Sequence, residues 1–114
     1  MATYVRKYCG NILYTFDGNY IKSYCGPIQY EIYNNCIRQY CGSILYEINA
    51  DVIRKYCGRI LYTFDGRYLK EYCGKILYEF DGRYIKEYCG SYCYTVEGHL
   101  TRTQLMALFI LYIV

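Results

Sequence analysis

At 114 residues the chain suits one domain with its own core. A net charge of +3 is too mild to imply nucleic acid by itself, and 19 tyrosines with no tryptophan are the compositional outlier. Eight cysteines would suit a disulfide scaffold in an oxidising compartment; Met1-Ala2-Thr3-Tyr4 carries no apolar export signal, so a cytoplasmic protein with reduced thiols is expected.

Turn signals then arrive about every eight residues. Tyr8-Cys9-Gly10 is followed by Asp17-Gly18, Tyr24-Cys25-Gly26, Tyr33-Asn34, Tyr40-Cys41-Gly42 and Asn49-Ala50. The second half reads Tyr56-Cys57-Gly58, Asp65-Gly66, Tyr72-Cys73-Gly74, Asp81-Gly82, Tyr88-Cys89-Gly90 and Glu97-Gly98. The period is 16 residues, repeated six times, and such a unit defines the fold by how it stacks.

Between the turns lie segments such as 67–72 and 75–80, rich in aromatic and aliphatic residues that favour strands. Asp-Gly between such runs is a strong hairpin signal, because a type I′ loop needs φ > 0 at both positions. Cys-Gly is expected to fill the other loop, with glycine again second. Tyr33-Asn34 is a fair substitute, since asparagine tolerates positive φ. Asn49-Ala50 is poorer and predicts an irregular or bulged loop. Pro27 opens its strand, where a missing donor is tolerated.

Two-residue loops would pair Phe16 with Asn19, Tyr14 with Ile21 and Ile12 with Ser23. One face then carries Ile12, Tyr14, Phe16 and Ile21, and the later units repeat it down to Ile76, Tyr78, Phe80 and Ile85. The other face carries Leu13, Tyr20, Lys22 and Tyr24, with Arg6, Lys22, Arg38, Arg54, Lys70 and Lys86 at mid-strand. Charges at mid-strand belong in water, so the Ile/Tyr/Phe face is the predicted interior.

Twelve short antiparallel strands left open would expose two edges and an apolar face, so closure is expected. At about 4.8 Å strand spacing and about 36–45° tilt the wall radius is roughly 11–13 Å, too wide for wall side chains alone to fill. The segment from Leu100 supplies a filler. Thr101 and Gln104 form a capping-box pattern, and from Leu105 onward every side is apolar, which marks a buried helix. The segment is too short for a bilayer span of roughly 20 residues. The expected fold is all-β: six 16-residue hairpin repeats, 1–98, closed around an axis and plugged by a C-terminal helix, 99–114, in the same domain. A β-solenoid with parallel, stacked coils is the competing arrangement.

The run Ile-Leu-Tyr-Glu-Phe-Asp-Gly-Arg-Tyr-Ile-Lys, with the apolar ending Gln-Leu-Met-Ala-Leu-Phe-Ile, resembles the repeat of bacterial β-flower proteins. The resemblance covers the whole chain and implies short hairpins around a rotational axis with a hydrophobic terminal segment. It implies no activity. Six units rather than four or five, and Cys-Gly at one turn, depart from that pattern.

Cys9, Cys25, Cys41, Cys57, Cys73 and Cys89 would ring one rim, with neighbours roughly 9–10 Å apart. That is beyond the roughly 7 Å a disulfide spans and too wide for converging zinc ligands, so free thiols and no metal are expected. Cys36 and Cys93 read as packing residues. Tyr14, Tyr30, Tyr46, Tyr62, Tyr78 and Tyr94 form a predicted lumen ring around the helix, their hydroxyls needing water or Thr/Gln partners at the helix N-terminus.

The outer stripes, as in Tyr68, Lys70, Tyr72 and Tyr84, Lys86, Tyr88, interleave basic and aromatic groups. A single-stranded nucleic acid or an anionic surface could use them, although Glu31, Glu47 and Glu79 share the face. With one histidine, His99, and turn-bound aspartates, no catalytic set or cofactor site can be assembled. The expected function is a non-enzymatic structural or interaction module presenting a tyrosine-rich surface to a protein partner or to its own copies, with nucleic-acid binding as the alternative.

Overall fold

The computed structural model describes residues 2–114. β1 (Thr3–Lys7) opens the chain, and five hairpins follow: β2 (Ile12–Asp17) with β3 (Tyr20–Ser23), β4 (Ile28–Tyr33) with β5 (Cys36–Gln39), β6 (Ile44–Asn49) with β7 (Val52–Lys55), β8 (Ile60–Phe64) with β9 (Tyr68–Glu71), and β10 (Ile76–Phe80) with β11 (Tyr84–Glu87). β12 (Tyr92–Glu97) then returns to β1, and every neighbouring pair is antiparallel, closing a twelve-stranded barrel. The parallel solenoid is excluded. The sixth petal is therefore split: its two strands come from opposite ends of the chain. They keep the register of the other Asp-Gly-type hairpins, with Lys7 opposite Tyr94 and Val5 opposite Val96, as Ser23 is opposite Tyr14 and Ile21 opposite Phe16. The molecule is a squat disc of 37 × 34 × 18 Å.

Three details differ from the sequence reading. First, the Asp-Gly loops sit one residue later. Phe16 faces Ile21 and Asp17 faces Tyr20, so Gly18 opens the loop instead of ending it. At two of these loops the aspartate caps the turn, as at Asp65, whose Oδ1 accepts from the backbone N–H of Arg67 (2.9 Å) and Tyr68 (2.8 Å). Aspartate serves as a side-chain cap to the turn, and Gly66 alone takes the positive φ of 103°. Because the shift moves each pairing by two residues, Tyr14, Phe16 and Ile21 keep the inward face. Asn34 and Asn35 form a loop with φ of 48° and 64°. The expected irregularity at Asn49-Ala50 is absent: Ala50 accepts φ 52° and Asn49 still faces Val52.

Second, the Cys-Gly pair is not a two-residue loop with positive glycine φ. The N–H of Gly10 donates to Lys7 O (2.7 Å), and Cys9 carries the positive φ of 56°. The glycine is needed for space instead: a Cβ on Gly74 would lie 2.8 Å from Glu71 Cβ.

Third, each Cys-turn hairpin is bulged. Val5 faces Tyr14, but Arg6 faces Ile12, so Leu13 is the extra residue, and the shift recurs at all six such junctions. Ile12, Ile28, Ile44, Ile60 and Ile76 are thereby turned from the expected interior to the basic outer face. Leu61, the extra residue of its bulge, packs against the core. An extra residue lets both Leu and Tyr of Ile-Leu-Tyr lean inward.

The helix fills the lumen. α1 (Arg102–Leu108) begins with a capping box, Gln104 N–H to Thr101 Oγ1 (3.2 Å) and Thr101 N–H to Gln104 Oε1 (2.9 Å). It continues into a π-helical turn, Phe109–Ile113. Six successive residues, Leu105 to Ile110, are buried on all sides by Val5, Phe16, Ile21, Ile37, Ile53, Phe64, Leu69 and Ile85. Full burial of one such side chain is worth roughly 1.5–3 kcal/mol. The plug and the wall therefore depend on each other.

Candidate functional site

Three surfaces carry chemistry: the outer wall, the mouth at the Tyr-Cys-Gly end, and the rim of turns around it. On the wall, tyrosines of adjacent petals meet edge to face. Tyr4 meets Tyr24 (6.1 Å between centroids), Tyr20 meets Tyr40 (6.0 Å), Tyr68 meets Tyr88 (5.9 Å), and Tyr84 meets Tyr8 (5.8 Å) across the closing seam. Each pair joins the opening Tyr of a petal strand to the Tyr-Cys-Gly tyrosine of the next petal. The girdle is interrupted where Cys36 and Val52 replace that opening Tyr, and among the described residues no ring pairs with Tyr56 or Tyr72. Tyr24, Tyr40 and Tyr88 still expose 47–48% of their surface. Of the expected aromatic residues, the fold joins Tyr68 to Tyr88 and sets Tyr84 beside Tyr92 (5.2 Å), while Tyr72 stands apart. Tyr92 also stacks on Tyr8 at 5.1 Å. The sequence reading missed Tyr92, although it stands where the other units have isoleucine.

The basic stripe is largely neutralised. Arg38 pairs with Glu31 (2.8 Å), Arg54 with Glu47 (3.6 Å), Lys86 with Glu79 (3.8 Å), and Arg6 with Glu97 (2.9 Å). The Glu31 carboxylate raises the Arg38 pKa. Glu79 also holds Arg67 at 2.7 Å. Lys22 and Lys70 face Thr15 and Thr63 instead, and no carboxylate among the described residues pairs with them. Half-exposed pairs of this kind are worth little in stability, but they cancel the field a phosphate backbone would need.

At the mouth, Tyr14, Tyr30, Tyr46, Tyr62, Tyr78 and Tyr94 are half-buried and pack against the core, as the ring reading expected. Their expected hydrogen-bond partners lie at the wrong end. The helix N-terminus docks on the Asp-Gly rim, with Arg102 paired to Asp51 and Gln104 Nε2 donating to Gly18 O (3.0 Å). The tyrosine ring instead surrounds the helix C-terminal end. Tyr112 stacks on Tyr14 at 3.7 Å, meets Tyr30 edge-on at 5.9 Å, and its hydroxyl donates to Gln29 Oε1 (2.6 Å). Gln29 stands where four of the other units have leucine and the last has Cys93. Burial raises the pKa of Tyr14, Tyr78, Tyr94 and, most of all, Tyr112. A cavity of about 550 Å³ opens between Lys7, Tyr8, Leu13, Tyr78, Tyr92, Cys93 and Tyr94 at the seam. Burial raises the Cys93 and Cys36 thiols.

The rim places Cys9, Cys25, Cys41, Cys57, Cys73 and Cys89 at six exposed turn tips, all free and all at φ of 54–57°. A side chain with Cβ costs roughly 1–2 kcal/mol in this left-handed region. Among the described residues no three His, Cys, Asp or Glu side chains converge as a metal site. No helix among them is long and apolar enough to cross a membrane.

No protein-family model, curated protein or solved structure matches the chain.

Proposed function

We propose that this chain is a non-enzymatic, cytoplasmic scaffold of the β-flower type that presents its tyrosine-rich surface to a protein partner or to its own copies. The observation that carries this reading is the inter-petal tyrosine girdle. Edge-to-face pairing holds large amphipathic rings in place while leaving nearly half of the surface of Tyr24, Tyr40 and Tyr88 exposed. Pre-ordered tyrosines contribute contact area at a low entropic cost, and this residue is enriched at protein interfaces. The carboxylates facing Arg6, Arg38, Arg54 and Lys86 weigh against nucleic acid as the partner.

The test is sedimentation of the reduced protein over a wide concentration range, alongside the triple variant Tyr24→Ser, Tyr40→Ser, Tyr88→Ser. Concentration-dependent association that the variant weakens at least tenfold supports the reading. A wild type that stays monomeric, and whose native-lysate partners are the same for the variant, sinks it. Salt-sensitive binding of single-stranded oligonucleotides at low ionic strength would favour the alternative.

A further inference from the structure

The six rim cysteines are at odds with their backbone. At Asn34, Asn35 and Gly18 the chain fills left-handed positions with residues suited to them, and only at Ala50, once, with one that is not. At the six tips it uses cysteine each time, exposed and outside the buried core. The residues flanking the tripeptide vary freely: Lys7, Ser23, Gln39, Lys55, Glu71 and Glu87 before it, and Asn11, Pro27, Ser43, Arg59, Lys75 and Ser91 after it. Folding of the turn explains the glycine and leaves the thiol unexplained.

Adjacent tips belong to hairpins two strands apart, so the thiols are out of disulfide reach within one ring. Their partners must come from outside. All six lie on one end of the disc, because successive turns alternate between the two rims. A 37 × 34 Å ellipse encloses roughly 1,000 Å², against roughly 800 Å² that each partner buries in a standard interface. A ring of equal tips is self-complementary about a two-fold axis across the disc.

The flanking charges select among the possible registers. The Cys57 tip carries Lys55 and Arg59, the Cys89 tip carries Glu87, and the Cys73 tip between them carries both Glu71 and Lys75. Turning one disc over about the Cys73 tip sets Lys55 and Arg59 against Glu87 of the second copy, and Glu71 against its Lys75. The other turnovers oppose like charges or gain less.

We propose that the Tyr-Cys-Gly rim is a thiol–disulfide exchange site that covalently joins two copies of this chain face to face. A rim thiolate attacks a low-molecular-mass disulfide such as oxidised glutathione. One sulfur–sulfur bond breaks, a mixed disulfide forms, and one glutathione thiolate leaves. The facing thiolate of the second copy then attacks the protein sulfur and releases the second glutathione thiolate. Two protein thiols are oxidised, one glutathione disulfide is reduced, and the two protons pass to the leaving thiolates. The inference rests on the self-association branch of the proposed function, and names its face and chemistry.

The full chain is incubated in glutathione redox buffer, denatured without reductant, and its linked peptides mapped. The expected product is a dimer carrying Cys73–Cys73 and Cys25–Cys25 links between copies, together with Cys57–Cys89 and Cys9–Cys41. Mixed disulfides on monomers only, links through Cys36 or Cys93, or an even spread over all six tips would overturn it. Glu87→Lys should deplete the Cys57–Cys89 link several-fold. Replacing all six tip cysteines by Asn, which suits the left-handed region, should abolish dimers while the protein melts no lower than wild type. A lower melting temperature would show the thiols to be structural and end the proposal. Should that variant not fold, the single Cys73→Asn change must remove only the Cys73 link. The two readings fail separately: sedimentation in excess reductant reports non-covalent association, and the peptide map reports the exchange site.

Discussion

The two rims of the barrel solve the same problem, reversing a strand, with opposite tolerance. On the Asp-Gly rim the turn sequences vary, as Asp17-Gly18, Asn34-Asn35, Asn49-Ala50 and Asp65-Gly66, and each satisfies the backbone by its own means. On the other rim Tyr-Cys-Gly never varies, although Cys9 and its equivalents hold a conformation that asparagine or glycine would adopt more cheaply. Where only the backbone is at stake, substitution is tolerated. A turn that stays fixed at a conformational cost is answering to something besides the backbone. The helix divides the rims further, its N-terminus tied to the Asp-Gly side by Arg102–Asp51 and its Tyr112 end facing the thiol side.

The largest expected break in this comparison comes from the element that both rims share. Leu108 is fully buried in the plug, so Leu108→Asp strands a charge in the lumen, and removal of 105–114 empties it. Both should abolish soluble, cooperatively folding protein, since single core truncations already cost roughly 2–5 kcal/mol of a total near 5–15 kcal/mol. An unchanged melt of the truncated chain would place the helix outside the barrel in solution.

Next come the two glycines, which should fail for different reasons. Gly82 has open space around it but a φ of 105°, so Gly82→Ala should cost roughly 1–3 kcal/mol in denaturant unfolding through backbone strain alone. Gly74→Ala meets Glu71 Cβ at 2.8 Å without a positive φ. Its cost should therefore change when Glu71 is also shortened to Gly, whereas no second substitution near Gly82 should rescue Gly82→Ala. Equal, non-coupled costs at both sites would contradict this distinction.

The smallest effect is electrostatic and belongs to the Asp-Gly rim. Backbone N–H groups of Tyr68 and Arg67 lower the Asp65 pKa. A carboxylate whose folded pKa lies below its unfolded value stabilises the fold above the unfolded pKa, near 3.9, and loses that contribution as pH falls through the folded one. Acid titration of stability should therefore show a shallower decline below about pH 4 in Asp65→Asn than in the wild type, measured by urea midpoints. Identical pH profiles would remove the turn cap from the account.

Much of this architecture was legible from periodicity. The 16-residue repeat with alternating apolar positions gave twelve strands, the mid-strand charges gave the outward face, and the all-apolar terminal segment behind a Thr101/Gln104 cap gave the plug. The tyrosine ring was equally legible, because parity alone points Tyr14 and its equivalents inward. The bulges were not read, although Ile-Leu-Tyr, three bulky apolar residues in a row, interrupts the alternation at every unit. Nor could the sequence separate the two uses of glycine, since a residue that needs positive φ and one that needs empty space are written with the same letter.

The tertiary structure decided what depends on neighbours. Only closure reveals that β1 and β12 form one petal, because that pairing joins residues almost a chain length apart. It also brings Tyr4 to Tyr24 and Tyr84 to Tyr8, contacts that no single strand can form. Parity already placed Glu31, Glu47 and Glu79 on the basic face, but only the folded wall assigns the pairs, Arg38 with Glu31, Arg54 with Glu47 and Lys86 with Glu79. Local order was set by repeat and parity, which act over a few residues. The surface chemistry was set by which side chains the twelve-stranded ring places side by side.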